Sequence, residues 1–177
     1  MKSIFLALLL MAAMATQSPA MAESKIAVVN IQEVLRNSSA AKDASGQLES
    51  LRSTYQGQFK NTEEQLRAED QKMGEQRASL SAEEFQAKRQ EFRKKVVEKT
   101  REFDQKRAGL DRGYAKAMAQ IQQKILEISK SLAEAKSYDI VVPTSQILYA
   151  KTDMDITADV TAKLNEAMPS LKVEISN

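Results

Sequence analysis

Apolar residues recur along the middle of the chain at the spacing of a helix seam. Ala44, Leu48, Leu51, Tyr55, Thr62, Leu66 and Met73 follow one another by three, four or seven positions. Further on, Val96, Phe103, Leu110 and Ala117 are seven apart, as are Tyr114, Ile121, Ile128 and Ala135, and Met118, Ile125 and Leu132 form a third row. Such steps keep residues on one face of an α-helix, the pattern of coiled-coil packing. The seam is imperfect, because Gln58, Glu69 and Lys99 fall on or near it. Two helices are predicted, over 40–79 and 81–136, with lengths of ~60 and ~84 Å at the usual helical rise. Ser81-x-x-Glu84 reads as a capping box, with Leu80 and Phe85 in staple positions. It places the tip of a helical hairpin near residues 80–81.

Outside this middle the pattern changes. Lys25-Ile-Ala-Val-Val-Asn30 and Tyr138-Asp-Ile-Val-Val142 are compact β-rich runs, and Ile147-Leu-Tyr-Ala150 is a third. Residues 171–175 alternate apolar and charged side chains and predict a fourth strand. Residues 157–168 read as a helix with Ile156, Val160 and Leu164 on one face. Thr157 or Asp155 is its expected N-cap, and Pro169 helps to end it. Each strand is too short to stand alone, and two antiparallel arms would bring them together in one sheet. The expected fold is therefore α+β, a small β-rich body (23–39 and 137–177) carrying a long, coiled-coil-like helical arm (40–136). At the N-terminus, Lys2, the apolar run 4–15 and Ala20-Met21-Ala22 have the order of a secretory signal. Residues 1–22 are expected to be removed between Ala22 and Glu23, leaving a soluble exported chain.

Composition sharpens this picture. No proline interrupts residues 20–142, which permits very long helices. All five glycines, Gly46, Gly57, Gly74, Gly109 and Gly113, fall in the arm. Gly109 and Gly113, facing Gly57, are candidates for a hinge that lets the arm splay. The chain has no Cys and no His. It thus lacks a thiolate nucleophile, an imidazole base and a Cys/His metal site, and no cofactor or enzymatic activity is expected. The acidic pairs Glu63-Glu64 and Glu69-Asp70 read as ordinary helix-face charges. Asn37-Ser-Ser39 matches a glycosylation sequon, but Ser38 or Ser39 more simply caps the first arm helix. A net charge of +2 argues against nucleic acid as a partner. The body is small for a single core and has no disulfide, so oligomerisation is the remaining route to stability.

The order of these blocks carries a resemblance. Lys25-Ile-Ala-Val-Val-Asn-Ile-Gln-Glu-Val-Leu35, the long charged helical middle, Tyr138-Asp-Ile-Val-Val142, Ile147-Leu-Tyr-Ala150 and Asp155-Ile-Thr-Ala-Asp-Val160 together resemble the Skp/OmpH family of periplasmic chaperones. The match covers essentially the whole chain after residue 22. The β-rich blocks are the specific part, and the middle matches in length and character. The resemblance implies a homotrimer in the periplasm of a Gram-negative bacterium. Its β-rich trimerisation body would include Ile26, Val28, Ile140, Val142, Ile147 and Tyr149. Its helical tentacles would enclose a cavity that holds unfolded outer-membrane proteins without ATP. The chain departs from the family pattern after Val160, where it continues through Pro169 to residues 171–175.

Within that resemblance the arm offers candidate client contacts. Phe85 and Phe92 lie near the tip, and Met73 supplies an adaptable thioether. At helical spacing, all three also read as ordinary seam residues. Residues 86–112 hold ten Lys/Arg, including Lys88, Arg89, Arg93, Lys94 and Lys95, against five Asp/Glu. Residues 42–79 hold six against seven. Most of these charges read as a solvated helix face. The excess on the returning arm would attract acidic clients and make weak contact with anionic membrane lipid. A second reading from a different class is an exported hairpin that bridges other components of the cell envelope as a structural adaptor.

Overall fold

The structure, a computed structural model, describes residues 24–175, so the expected signal segment lies outside the described residues. Strand β1 (Ile26–Val29) leads into a short helix α1 (Ile31–Asn37) and then a long helix α2 (Ser39–Glu75). A 3-10 turn, Gln76–Ala78, closes the tip. Helix α3 (Ala82–Lys136) returns, followed by strand β2 (Ile140–Pro143) and helix α4 (Thr157–Ala167).

Local chemistry sets each boundary. The Ser38 hydroxyl accepts from the Ala41 N–H at 3.0 Å and starts α2. Ser81 and Glu84 form the reciprocal capping box that starts α3. Ser137 ends α3 in the left-handed conformation, with φ 54°, and the Tyr138 N–H bonds back to the Ala133 carbonyl. Chain reversal at the tip brings β2 alongside β1 in parallel register, Ile26 opposite Ile140 and Val28 opposite Val142. A parallel pair needs a long crossover, and here the crossover is the whole hairpin. On the other edge of β1, the Ile156 N–H donates to the Val28 carbonyl at 2.9 Å.

The two arm helices are unequal, 37 and 55 residues. The extra turns of α3 run into the body. Its Ile121, Ile125, Ile128 and Leu132 pack with Ala27 and Val29 of β1, Val34 of α1, and Ile156, Val160 and Leu164 near and within α4. One continuous helix therefore forms one side of the arm and the spine of the body core. A second apolar cluster, of Ala44, Leu48, Leu110, Ala117 and Val173, fills the arm base just beyond it.

Three local expectations change, and one short helix is added. Residues 147–150 form no strand: a 3-10 turn at Thr144–Gln146 follows Pro143, and Leu148 and Tyr149 project into solvent. Residues 171–175 are extended but join no sheet, because their backbone bonds to the side chains of Asp43 and Gln47 on α2. Residues 31–37 form a helix that the apolar pattern alone did not indicate, although Asn30-x-x-Glu33 is a cap signal. Asn30 Oδ1 accepts from the Glu33 N–H at 3.1 Å. At α4, Ile156 occupies the cap position with no side-chain bond, and Asp155 Oδ1 accepts from the Thr157 N–H at 2.8 Å.

Candidate functional site

The arm divides into three zones of different packing. At the base, Ala44, Leu48, Leu110 and Ala117 are buried. At the tip, Met73 and Phe85 are buried. Between these zones neither helix has a buried residue: none lies between Leu48 and Met73 on α2, or between Phe85 and Gly109 on α3. Gln58, Glu69 and Lys99, which fall on or near the apolar rows, lie in this stretch. The middle of the arm is held by polar and ring contacts. Phe59 and Phe103 meet edge to face at 5.1 Å between ring centroids. Lys106 Nζ lies 5.4 Å from the Tyr55 ring centroid and 5.3 Å from that of Phe103. Lys106 also donates to Gln58, and Lys95 to Glu69, so both cations bridge the two helices.

These contacts leave apolar surface in reach of solvent. Phe59 is 52% exposed, and Val97 and Tyr114 are also exposed. Tyr55, Gln56, Phe59, Phe103 and Lys106 line an open groove of about 790 Å³ between the helices. Arg52, Arg107, Asp104 and Asp111 also line it, so the groove sets ring faces among charges of both signs, a combination that offers weak contacts to aromatic and polar side chains alike. Tyr55 and Phe103 stand in the apolar rows of the sequence, but the sequence did not single out this cluster as a client contact.

The expected tip contacts occupy different positions. Phe85 is buried beneath Arg77, whose guanidinium carbon lies 4.9 Å from the ring centroid, with Arg89 at 6.0 Å. Met73 is buried, and Phe92 is half-buried. Lys88, Arg89, Arg93, Lys94 and Lys95 are exposed, and Lys88 donates to Gln76 across the turn at 3.0 Å. The Ser81 N–H and hydroxyl donate to the Glu84 carboxylate, and with Lys88 nearby they hold its pKa below the usual range. In mid-arm, hydrogen bonds from Lys99 and Lys106 hold the Glu102 carboxyl down to about 2.

Of the hinge glycines, Gly57 has open space around it and Gly109 is buried. Gly113 lies under residues 173–175, where a Cβ would stand 2.8 Å from Ile175 Cδ1 and 3.0 Å from the Glu174 carbonyl oxygen. In the body, Val28 is buried and Val142 and Ile147 are half-buried. Ile26, Ile140 and Tyr149 are exposed. Among the described residues, no group of His, Cys, Asp and Glu could hold a metal ion, and no helix is long and apolar enough to cross a membrane.

The model of the OmpH-like outer membrane protein family matches residues 25–164, from the first residues of the body through the hairpin to α4. The chain belongs to the OmpH-like family. Among relatives, it is 27% identical to the chaperone protein Skp of Photorhabdus luminescens over 152 residues, covering 84% of this chain and 90% of that protein. It is 26% identical to the Skp-like protein of Pseudomonas aeruginosa over 161 residues, covering 89% and 94%. A crystal structure of an OmpH-like outer membrane chaperone from Caulobacter crescentus superposes with a TM-score of 0.80 at 13% identity, covering 88% of this chain and 92% of that one. At that identity the likeness is one of fold: a long hairpin on a small body is the OmpH-like architecture, and this chain has it. The family match ends at Leu164, short of residues 171–175.

Proposed function

We propose that the chain is a periplasmic chaperone that holds unfolded outer-membrane proteins between the arms of a homotrimer, without ATP, until they reach their membrane. Membership of the OmpH-like family and the Skp chaperone relatives support the chaperone reading. The observation that carries the mechanism is the under-packed middle of the arm. A holding surface must bind many sequences weakly and release each of them. Half-exposed rings interleaved with cations offer such contacts, and several weak contacts along several arms add through effective concentration. Phe92, Lys88, Arg89, Arg93, Lys94 and Lys95 extend this surface toward the tip, with Phe85 and Met73 supporting it from below. The same cations would make weak contact with anionic lipid. Gly57, Gly109 and Gly113 would set how far the arms splay.

Trimer formation is supported by apolar surface left open on the body. Ile26 and its partner Ile140 are exposed, and so are Leu148 and Tyr149. Beside the strands, Ile31, Ile125, Leu126, Val141 and Pro143 line an open groove of about 510 Å³ that includes Ser129, whose buried hydroxyl has no partner. Apolar surface grouped on so small a body is consistent with an interface between copies of the chain.

The test is aggregation of an unfolded outer-membrane protein diluted from urea without ATP. Suppression is expected at about one trimer per client, the stoichiometry that a single shared cavity sets. Unchecked aggregation in the presence of an intact trimer would overturn the holding function and favour an envelope adaptor.

A further inference from the structure

Residues 171–175 lie along the arm base in a manner that differs from ordinary tail packing. The Gln47 side-chain amide grips the backbone twice: its Nε2 donates to the Leu171 carbonyl at 2.9 Å, and its Oε1 accepts from the Val173 N–H at 3.0 Å. Asp43 Oδ2 accepts from the Leu171 N–H at 3.1 Å and from Gln47 Nε2 at 3.0 Å, which holds the amide in place. One side chain thus does what a neighbouring strand would do, and it reads backbone alone, so it is indifferent to sequence. The side chains alternate in and out. Val173 is buried with Ala44, Leu48, Leu110 and Ala117, and Leu171 and Ile175 pack against the same cluster. Lys172 and Glu174 point to solvent, and Glu174 pairs with Lys116 of α3. Gly113 permits the close approach, since even one methyl group there would press on the segment's backbone.

We propose that this face of the arm base is a binding site for an extended peptide segment with apolar residues at alternate positions, and that residues 171–175 are its resident, displaceable occupant. The proposal rests on the holding function argued above, because the competing occupant is a segment of an unfolded outer-membrane protein. Membrane-spanning β-strands alternate apolar and polar side chains in the same way. The site offers such a strand a backbone grip, three apolar positions on one side and water on the other. Its own tail, tethered nearby, occupies it at high effective concentration and keeps it covered until a client competes.

The test begins with a chain truncated after Met168 and a fluorescein-labelled peptide of residues 169–177. Fluorescence anisotropy should report saturable binding of the peptide to the truncated trimer, lost on Gln47→Ala. An unlabelled peptide copied from one outer-membrane β-strand should compete. A scrambled version with its apolar residues grouped together should not. Removing a covering segment raises apparent affinity by the inverse of the fraction of time the site stood open, so a tail that covers the site about four-fifths of the time predicts that the truncated chain holds clients at concentrations about fivefold lower. Lys116→Glu provides the same test in the full-length chain, turning the Glu174 pair into repulsion and speeding amide exchange at 171–175. No peptide binding to a truncated chain of unchanged helix content would overturn the proposal. So would peptide binding that client strands do not displace, since the tail would then be a brace. The peptide measurement needs no client, so it stands even if the full-length chain fails to suppress aggregation.

Discussion

Glu102 shows how single residues hold the open middle of the arm. Lys99 and Lys106 donate to its two carboxylate oxygens at 2.8 and 2.9 Å, and its pKa falls from the ordinary 4.5 to about 2. The folded form keeps this charge where the unfolded chain begins to bind a proton. Its contribution to stability is therefore full above 4.5 and is lost as pH falls toward 2. A carbon-detected NMR titration should find the Glu102 midpoint near 2 in low salt, rising toward 4.5 in ~1 M salt because these groups are partly exposed and so screened. Glu102→Gln should flatten this part of the acid unfolding curve. Gly57 sets a second residue-scale case. A Cβ there meets nothing within 4 Å, so Gly57→Ala should raise helix stability by about 1 kcal/mol in urea unfolding. If Gly57 belongs to a hinge, spin-label distances between arms should also narrow. An unchanged spread would remove it from the hinge. Gly113→Ala should differ in sign, because the gain in helix preference meets the tail backbone.

At the scale of elements, the hairpin joins firm ends through a soft middle. Phe103→Ala removes the edge-to-face pair with Phe59, a contact worth about 1 kcal/mol beyond its buried area. Amide exchange should quicken around residues 56–62 and 100–106 and stay unchanged in the body. Equal exchange everywhere would mean that the ring pair does not hold the middle. Much of this architecture was legible in the sequence. The seven-residue rows gave both long helices, and Ser81 with Glu84 gave the start of α3, because caps and seams are local patterns. The two β-rich runs at 26 and 140 gave the sheet, since only a hairpin returns one to the other. Other parts depend on contacts that no local pattern encodes. Residues 147–150 have strand composition but no partner within the chain, so composition misled. Residues 171–175 have strand alternation, yet the partner is one Gln side chain instead of a strand. Gly113 reads as a hinge candidate from the sequence, and the segment 60 residues later that packs against it is a contact no local pattern encodes. The mid-arm cluster of Tyr55, Phe59, Phe103 and Lys106 needed the register between α2 and α3, which spacing on either helix alone does not fix.

For the whole molecule, the decisive question is what covers the exposed apolar surface of the body. Replacing Leu148 and Tyr149 together with Lys should shift the mass in solution from trimer to monomer, read by light scattering, with helix content little changed. Neither side chain is packed within the chain, so an unchanged mass would contradict the interface reading. The parallel pairing of the strands has a further consequence, in time instead of space. Lys25 and Asp139, bonded beside β1 and β2, are 114 residues apart in sequence. Contacts near the hairpin tip are local and form early, whereas closure of so long a loop comes late. During refolding, amides near residues 82–90 should gain protection before those of 26–29. Until then β1 is a bare apolar strand with both edges open, the same hazard that an unfolded barrel strand presents. A protein proposed to shelter such strands thus begins each folding event with one of its own unsheltered.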